Sequence, residues 1–196
     1  MKRNVVVASL ALVLLGLFGC GPMPPWLGGT PRIEIGERTV LILPFAGNDI
    51  LGREPDLERE VGAAVMKRLK DELSYVQFVS PSVLRNWEAA TPGWRAMPVA
   101  DIGRALKAHL VVELSIIRFQ THEPGERVVL QARLTGEAHA TDTQSGEIVW
   151  RSGAIPAVVP EKNPVTVYDT TESVLKAEVI RQFAEQFAQA FSDEFE

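Results

Sequence analysis

From Thr39 onward the chain switches between two hydrophobic periods, and the switches outline its elements. Thr39-Val-Leu-Ile-Leu-Pro-Phe-Ala46 is apolar on both faces, as a central strand covered on both sides requires, and Pro44 marks its end or a bulge. A turn-rich stretch through Pro55 leads to Asp56 as a helix cap. Behind it Leu57, Val61, Ala64, Val65, Leu69 and Leu73 recur at three- and four-residue spacing and share one helical face. Glu58 and Glu60 near the start, with Lys67, Arg68 and Lys70 near the end, complement the helix dipole. Val76 to Val79 reads as a short strand. Ser80-Pro81-Ser82 opens a brief helix to about Ala89, Ala90 to Pro98 is a loop, and Val99 to Ala108 is a helix with Ile102, Ala105 and Leu106 inward.

The second half begins with a β-branched, apolar strand from Leu110 to Phe119. Strict alternation follows: Val128, Leu130, Ala132, Leu134, Gly136, Ala138 and Ala140 share one face, while Gln131, Arg133, Thr135, Glu137, His139 and Thr141 share the wet one. Thr143-Gln-Ser-Gly146 supplies a turn, and Glu147 to about Val158 returns as the antiparallel partner. Thr170 to Phe195 is an amphipathic helix with Ile180, Phe183, Ala184, Phe187, Ala188 and Phe191 as its stripe. The expected fold class is α+β, a mixed-sheet α/β sandwich: a four- to five-stranded sheet with a C-terminal hairpin meander and packed helices. Residues 39–196 form one globular domain in this reading, consistent with 196 residues of which 46% are hydrophobic.

The chain ahead of Thr39 follows other rules. Lys2 and Arg3 precede an apolar run from Val5 to Phe18, too short to span a bilayer, which makes residues 1–19 a secretory signal. Leu17-Phe18-Gly19-Cys20 looks like a bacterial lipobox, in which cleavage precedes the Cys and the thiol carries a diacylglycerol. The alternative is an ordinary secreted protein whose cleavage site contains a Cys. Cys20 is the only cysteine, so an intramolecular disulfide and a four-thiolate metal site are both excluded. Residues 20–38 then hold the lipidated Cys and a Pro/Gly tether, semi-rigid at Pro24-Pro25, with Trp26 either at the membrane interface or simply exposed. Cleavage removes Lys2 and Arg3 and leaves a chain more negative than the formal −5, which supplies neither a nucleic-acid patch nor a polybasic membrane patch. The acyl chains therefore do the anchoring. Gly21 stands where an Asp would retain a lipoprotein in the inner membrane, so the expected location is the periplasmic face of the outer membrane.

Val40-Leu-Ile-Leu-Pro-Phe45, the helix after it, Ile102-Gly-Arg-Ala-Leu-Lys-Ala-His-Leu-Val-Val112 and Asp142-Thr-Gln-Ser-Gly-Glu-Ile-Val-Trp150 together resemble a domain of bacterial envelope lipoproteins. It is the domain shared by CsgG, LpoB and the amino-terminal part of TolB, and the resemblance covers roughly residues 39–196. It implies a non-enzymatic protein that works by binding another envelope protein, in envelope biogenesis, peptidoglycan-synthesis regulation or secretion. Assembly with further copies of the chain stays open. A secretion pore is disfavoured, since the hairpin Val128 to Val158 carries small apolar residues and Pro156, which suit packing on helices better than facing lipid.

Catalytic signals are poor. His109, His122 and His139 fall on different predicted elements without metal-ligand spacing, and Glu58 with Glu60, or Asp71 with Glu72, read as solvated helix charges. No glycine run follows a strand and opens a helix as a phosphate loop does, so no cofactor is indicated. The competing classes are a lipid-anchored hydrolase with an unrecognised site and a small-ligand carrier with an apolar cavity. For partner binding the candidates are Trp87, Trp94, Arg95 and Met97. These residue types are enriched at interface centres, and Pro92-Gly93 and Pro98 bracket Trp94 within a surface loop. For Trp87, on the short helix, the competing role is to cover the sheet edge.

Overall fold

The apolar strand that opens the domain is covered on both faces in a computed structural model of the protein, which describes residues 38–122, 125, 126 and 128–193. β1 (Thr39–Ala46) leads through a four-residue helix, α1 (Asn48–Leu51), into α2 (Leu57–Glu72). A two-residue strand, β2 (Gln77–Phe78), precedes α3 (Pro81–Ala90), a single 3-10 turn (Trp94–Ala96) and α4 (Val99–Ala105). The meander β3 (Leu110–His122), β4 (Val129–Asp142) and β5 (Ile148–Val159) follows. A short β6 (Val165–Thr166) and the long α5 (Glu172–Ser192) complete the order.

The sheet runs β2-β1-β3-β4-β5, with β6 pairing the start of β4. β1 lies parallel to both β2 and β3, while β3, β4 and β5 are antiparallel, so the mixed α/β sheet expected of the sequence is what forms. The strand β6 and the helix α1 are additions that the hydrophobic pattern did not announce, because both are too short to show a period.

Because β1 and β3 are buried on both faces, their alternate residues feed two cores. Val40 and Ile42 join Val112, Leu114, Leu134 and Ala140 beneath α2 and α5. Leu41 and Leu43 join Val111, Val79 and Ile102 on the opposite face, beneath α3 and α4. Two of the register shifts in the β3–β4 and β4–β5 ladders change which residues point inward. Ile117 is the extra residue of β3 between Ile116 and Arg118, after which Phe119 instead of an even-numbered residue enters the larger core. In β5 the register slips near Gly153, whose φ of +65° only glycine adopts without strain, so the inward set changes from Trp150 to Ile155 and Ala157. The Ser152 hydroxyl accepts from the Ala138 N–H at 2.9 Å and takes over the ladder bond that this slip removes.

The C-terminal stripe packs as its spacing predicts. Phe183, Phe187 and Phe191 are fully buried, and Trp150 stands edge-on to Phe187 and Phe191 with centroids 6.1 and 5.2 Å apart. Gly136 faces this stripe. A Cβ there would come within 2.9 Å of Phe183 Cζ, so the missing side chain is what admits the ring. The hairpin's small-residue face is thereby covered by helix. Lys176 near the start of α5 lies 2.7 Å from both Glu54 and Glu60, tying that helix to α2. Burial works to lower the Lys176 pKa, but the two carboxylates outweigh it and hold the amine above its ordinary value.

Several local expectations change. The helix expected over 99–108 stops at Ala105, and Ala105 itself is exposed. Lys107 takes a left-handed φ of 56°, with Ala108 N–H donating to the Gly103 carbonyl at 2.9 Å and Lys107 N–H to that of Arg104 at 3.1 Å, the bonds of a Schellman cap. On the supposedly wet face of β4, Gln131 is buried with its amide donating to the Pro160 carbonyl, and Thr141 is buried beside Val111. The signal, Cys20 and the tether lie outside the described residues.

Candidate functional site

The second face of the sheet is where the candidate partner-binding residues meet. The Ser80 hydroxyl accepts from Ser82 N–H at 3.2 Å and Pro81 occupies the first turn, which starts α3 where the sequence indicates. None of its ten residues is buried. After Thr91-Pro92-Gly93 the chain folds into the 3-10 turn Trp94–Ala96, so the segment read as an open loop is a compact connection.

That turn sets Trp94 between two other rings, 5.8 Å from Phe45 at the end of β1 and 6.3 Å from Trp87 on α3. Trp87, Trp94 and Met97 are half-buried against the smaller core, leaving part of each surface open. The Arg95 guanidinium lies 4.9 Å from the Trp94 ring centroid and 5.4 Å from that of Phe45. Its two terminal nitrogens donate to the Glu58 carboxylate at 3.2 and 2.6 Å. Glu58 Oε1 also accepts from Ala46 N–H at 2.7 Å, so one carboxylate joins the end of β1, the start of α2 and the 3-10 turn.

Glu58 is the residue that sequence reasoning missed. By sequence it reads, with Glu60, as a solvated helix charge, whereas its side chain is only 16% exposed and bidentate to Arg95. Nothing local in the sequence signals this, because the partner lies 37 residues away. Trp87, Trp94, Arg95 and Met97 do come together, as one patch on one face. Trp87 shares both roles, covering the smaller core and lining the patch.

The histidines are dispersed. Just before β3, His109 accepts from Thr39 N–H through Nδ1 at 3.0 Å, and His139 Nε2 stands 3.4 Å from Glu113 across the β3–β4 ladder. His122 is the last residue of β3, His109 precedes that strand and His139 lies in β4, so the three fall on different elements, as the sequence indicates. Beside His122 the Thr121 hydroxyl donates to Glu172 at 2.9 Å, with His122 Nε2 3.6 Å from the same carboxylate. The hydroxyl proton is directed at the carboxylate, so the set fastens the start of α5 to the end of β3. Among the described residues no group of three or more His, Cys, Asp or Glu side chains is placed to hold a metal ion.

The motifs that carried the family resemblance also converge. The Arg104 Nε donates to the Thr143 carbonyl at 2.9 Å, and the Thr143 hydroxyl donates to that of Ala108 at 2.8 Å. These bonds lock the α4–β3 corner to the β4–β5 turn. Asp142 heads that turn, accepting from Ser145 and Gln144 N–H groups, which hold its carboxyl below the usual range.

No protein-family profile matches the chain, and no curated protein matches it. Solved structures do. Lipoprotein GNA1162 from Neisseria meningitidis aligns over 78% of this chain and 99% of its own, at 12% identity and a TM-score of 0.50. A PelC dodecamer structure from Paraburkholderia phytofirmans aligns over 82% and 94% at 11% identity, with a TM-score of 0.48. The LpoB C-terminal domain from Salmonella enterica aligns over 66% and 87% at 14% identity, with a TM-score of 0.37. The chain thus shares its fold with a bacterial lipoprotein. At such identities the likeness is one of fold alone, and it does not select CsgG or TolB.

Proposed function

We propose that the protein is a lipid-anchored lipoprotein of the bacterial envelope, acylated on Cys20, which acts without catalysis by binding another envelope protein at the periplasmic face of the outer membrane. The observation that supports it is the patch on the second face of the sheet. Arg95, stacked on Trp94 and Phe45 and held by Glu58, fixes Trp94 beside the half-buried Trp87 and Met97 before any partner arrives. Rigid aromatic surface with a pre-paired arginine loses little conformational entropy on binding. The lipobox-like Leu17-Phe18-Gly19-Cys20 supports the anchor.

Two measurements test this reading. Radiolabelled palmitate is expected on the wild-type protein and absent from Cys20→Ser. A photo-crosslinking amino acid at Trp94 is expected to give one discrete adduct in intact cells, lost in Arg95→Glu and absent when the probe stands at the exposed Tyr75. Unlabelled wild-type protein overturns the anchor. Adducts equal at both positions overturn the patch.

A further inference from the structure

One acidic residue of the patch helix is not accounted for by the patch itself. Glu88 follows Trp87 on α3 and lines a cleft of about 270 Å³ between α2, α3 and the second half of β1. Its apolar lining includes Ile42, Pro44, Ala63, Met66 and Leu84, and Arg59 and Arg85 line it as well. The other two carboxylates of the cleft already have cations: Asp56 pairs with Arg59 at 2.8 Å, and Glu58 with Arg95. Among the described residues no hydrogen bond or ion pair reaches the Glu88 carboxylate. Burial pushes its pKa up and the nearby Glu58 charge adds to this, against Arg95 from the 3-10 turn and Arg85 from α3, which pull it down. Glu88 is therefore a partly desolvated carboxylate in the cleft, with Arg95 and Arg85 near it and no direct partner among the described residues.

We propose that this cleft receives a lysine or arginine side chain of the partner protein, its aliphatic stem on Met66, Leu84 and Pro44 and its cationic head paired with Glu88. Long basic side chains match such a site because their stems bury against apolar surface while the head keeps a charged partner. A neutral side chain leaves the carboxylate desolvated, and an acidic one adds repulsion from Glu58 and Glu88. The site is reachable because α3, which forms one wall, has no buried residue. It also adjoins Trp87 and Arg95, so a single partner segment covers cleft and patch together. This inference rests on the reading of the patch as a protein-binding surface, and the two are separable by experiment.

The test uses the full anchored protein in detergent micelles, followed by methyl NMR of Met66, Ala63 and Leu84. The probes are the capped peptides Ac-Ala-Lys-Ala-NH2, its glutamate counterpart and its norleucine counterpart. The lysine peptide is expected to give saturable shifts at these methyls with about tenfold tighter binding than the other two, as one charge-assisted contact provides. Glu88→Gln, nearly identical in shape, is expected to erase that preference while the melting temperature stays unchanged. Binding of the lysine peptide is also expected to weaken as pH falls through the raised Glu88 pKa, with norleucine binding unaffected. Equal binding of all three peptides, shifts confined to methyls outside the cleft, or a preference that survives Glu88→Gln overturns the proposal. Loss of the Trp94 crosslink with the lysine preference intact breaks the patch and spares the cleft, and the reverse breaks the cleft alone.

Discussion

On the α2 and α5 side of the sheet, Phe183, Phe187 and Phe191 are fully buried and Trp150 closes their edge. On the α3 and α4 side, the largest rings, Trp87, Trp94 and Phe45, are only half-buried, over a small base formed by Leu41, Leu43, Val79, Ile102, Ala108 and Val111. The two faces grow from the same strands, so the contrast lies in what covers them. A 21-residue helix with an unbroken stripe seals one face. A ten-residue helix with no buried residue and a single 3-10 turn leave the other partly open. One face concentrates the apolar burial that holds the fold together, and the other keeps large side chains ordered but accessible, which is the condition for recognition.

Among single substitutions, the largest effect that bears on this contrast is expected from Phe187→Ala. Truncating a fully buried Phe costs about 3 to 5 kcal/mol, whereas Trp94→Ala, half-exposed, is expected to cost roughly half as much. Denaturant unfolding of both variants reads the difference. Equal losses would make the second face a core like the first and remove the basis for an interaction surface. Deletion of the chain from Thr170 onward goes further in the same direction and is expected to abolish the cooperative transition, since it strips the whole aromatic stripe.

Gly136→Val tests the larger face from the sheet side. Its side chain would enter the space held by Phe183 and the Ser115 carbonyl, and overpacking of this kind costs about 1 to 3 kcal/mol. A near-neutral outcome in a thermal melt would show that the α5 helix rides loosely on the sheet. Lys107→Gly sharpens the comparison on the opposite side, at the end of α4. It relieves a left-handed residue in the Schellman cap and is expected to stabilise by about 0.5 to 1 kcal/mol.

The smallest effect concerns Asp142 in the β4–β5 turn. Its folded-state pKa lies below the ordinary value, so its contribution to stability is present above the unfolded pKa of about 3.9 and is lost as pH falls through the lowered folded value. Asp142→Asn keeps an oxygen for the turn and lacks the titration. The variant is expected to be slightly less stable than wild type near neutral pH and to converge with it in acid, along a flatter acid limb. A parallel acid limb in the two proteins would mean that the depressed carboxyl is not linked to folding.

Long-period features were legible in the sequence: β1 buried on both faces, the stripes of α2 and α5, the alternation of β4 and its turn into β5. Each repeats a signal over several residues, so one exception does not erase it. The candidate site was legible only as residue types in a Pro- and Gly-bracketed stretch. That Trp94 stacks between Phe45 and Trp87 depends on a contact with β1, 49 positions earlier in the chain.

The sequence by itself determined the alternation of helix and strand, which residues have burial as their default, and the distinct character of the first 38 residues, because these follow from local period and composition. Only the tertiary structure decided the phase flips at Ile117 and Gly153, since a bulge is defined by the strand opposite it. It alone converted Glu58 from a helix-end charge into the clasp of Arg95, and left Glu88 half-buried without a direct partner among the described residues. Charges change role in this way because electrostatic energy depends on distance and desolvation, and both are set by elements far apart in the chain.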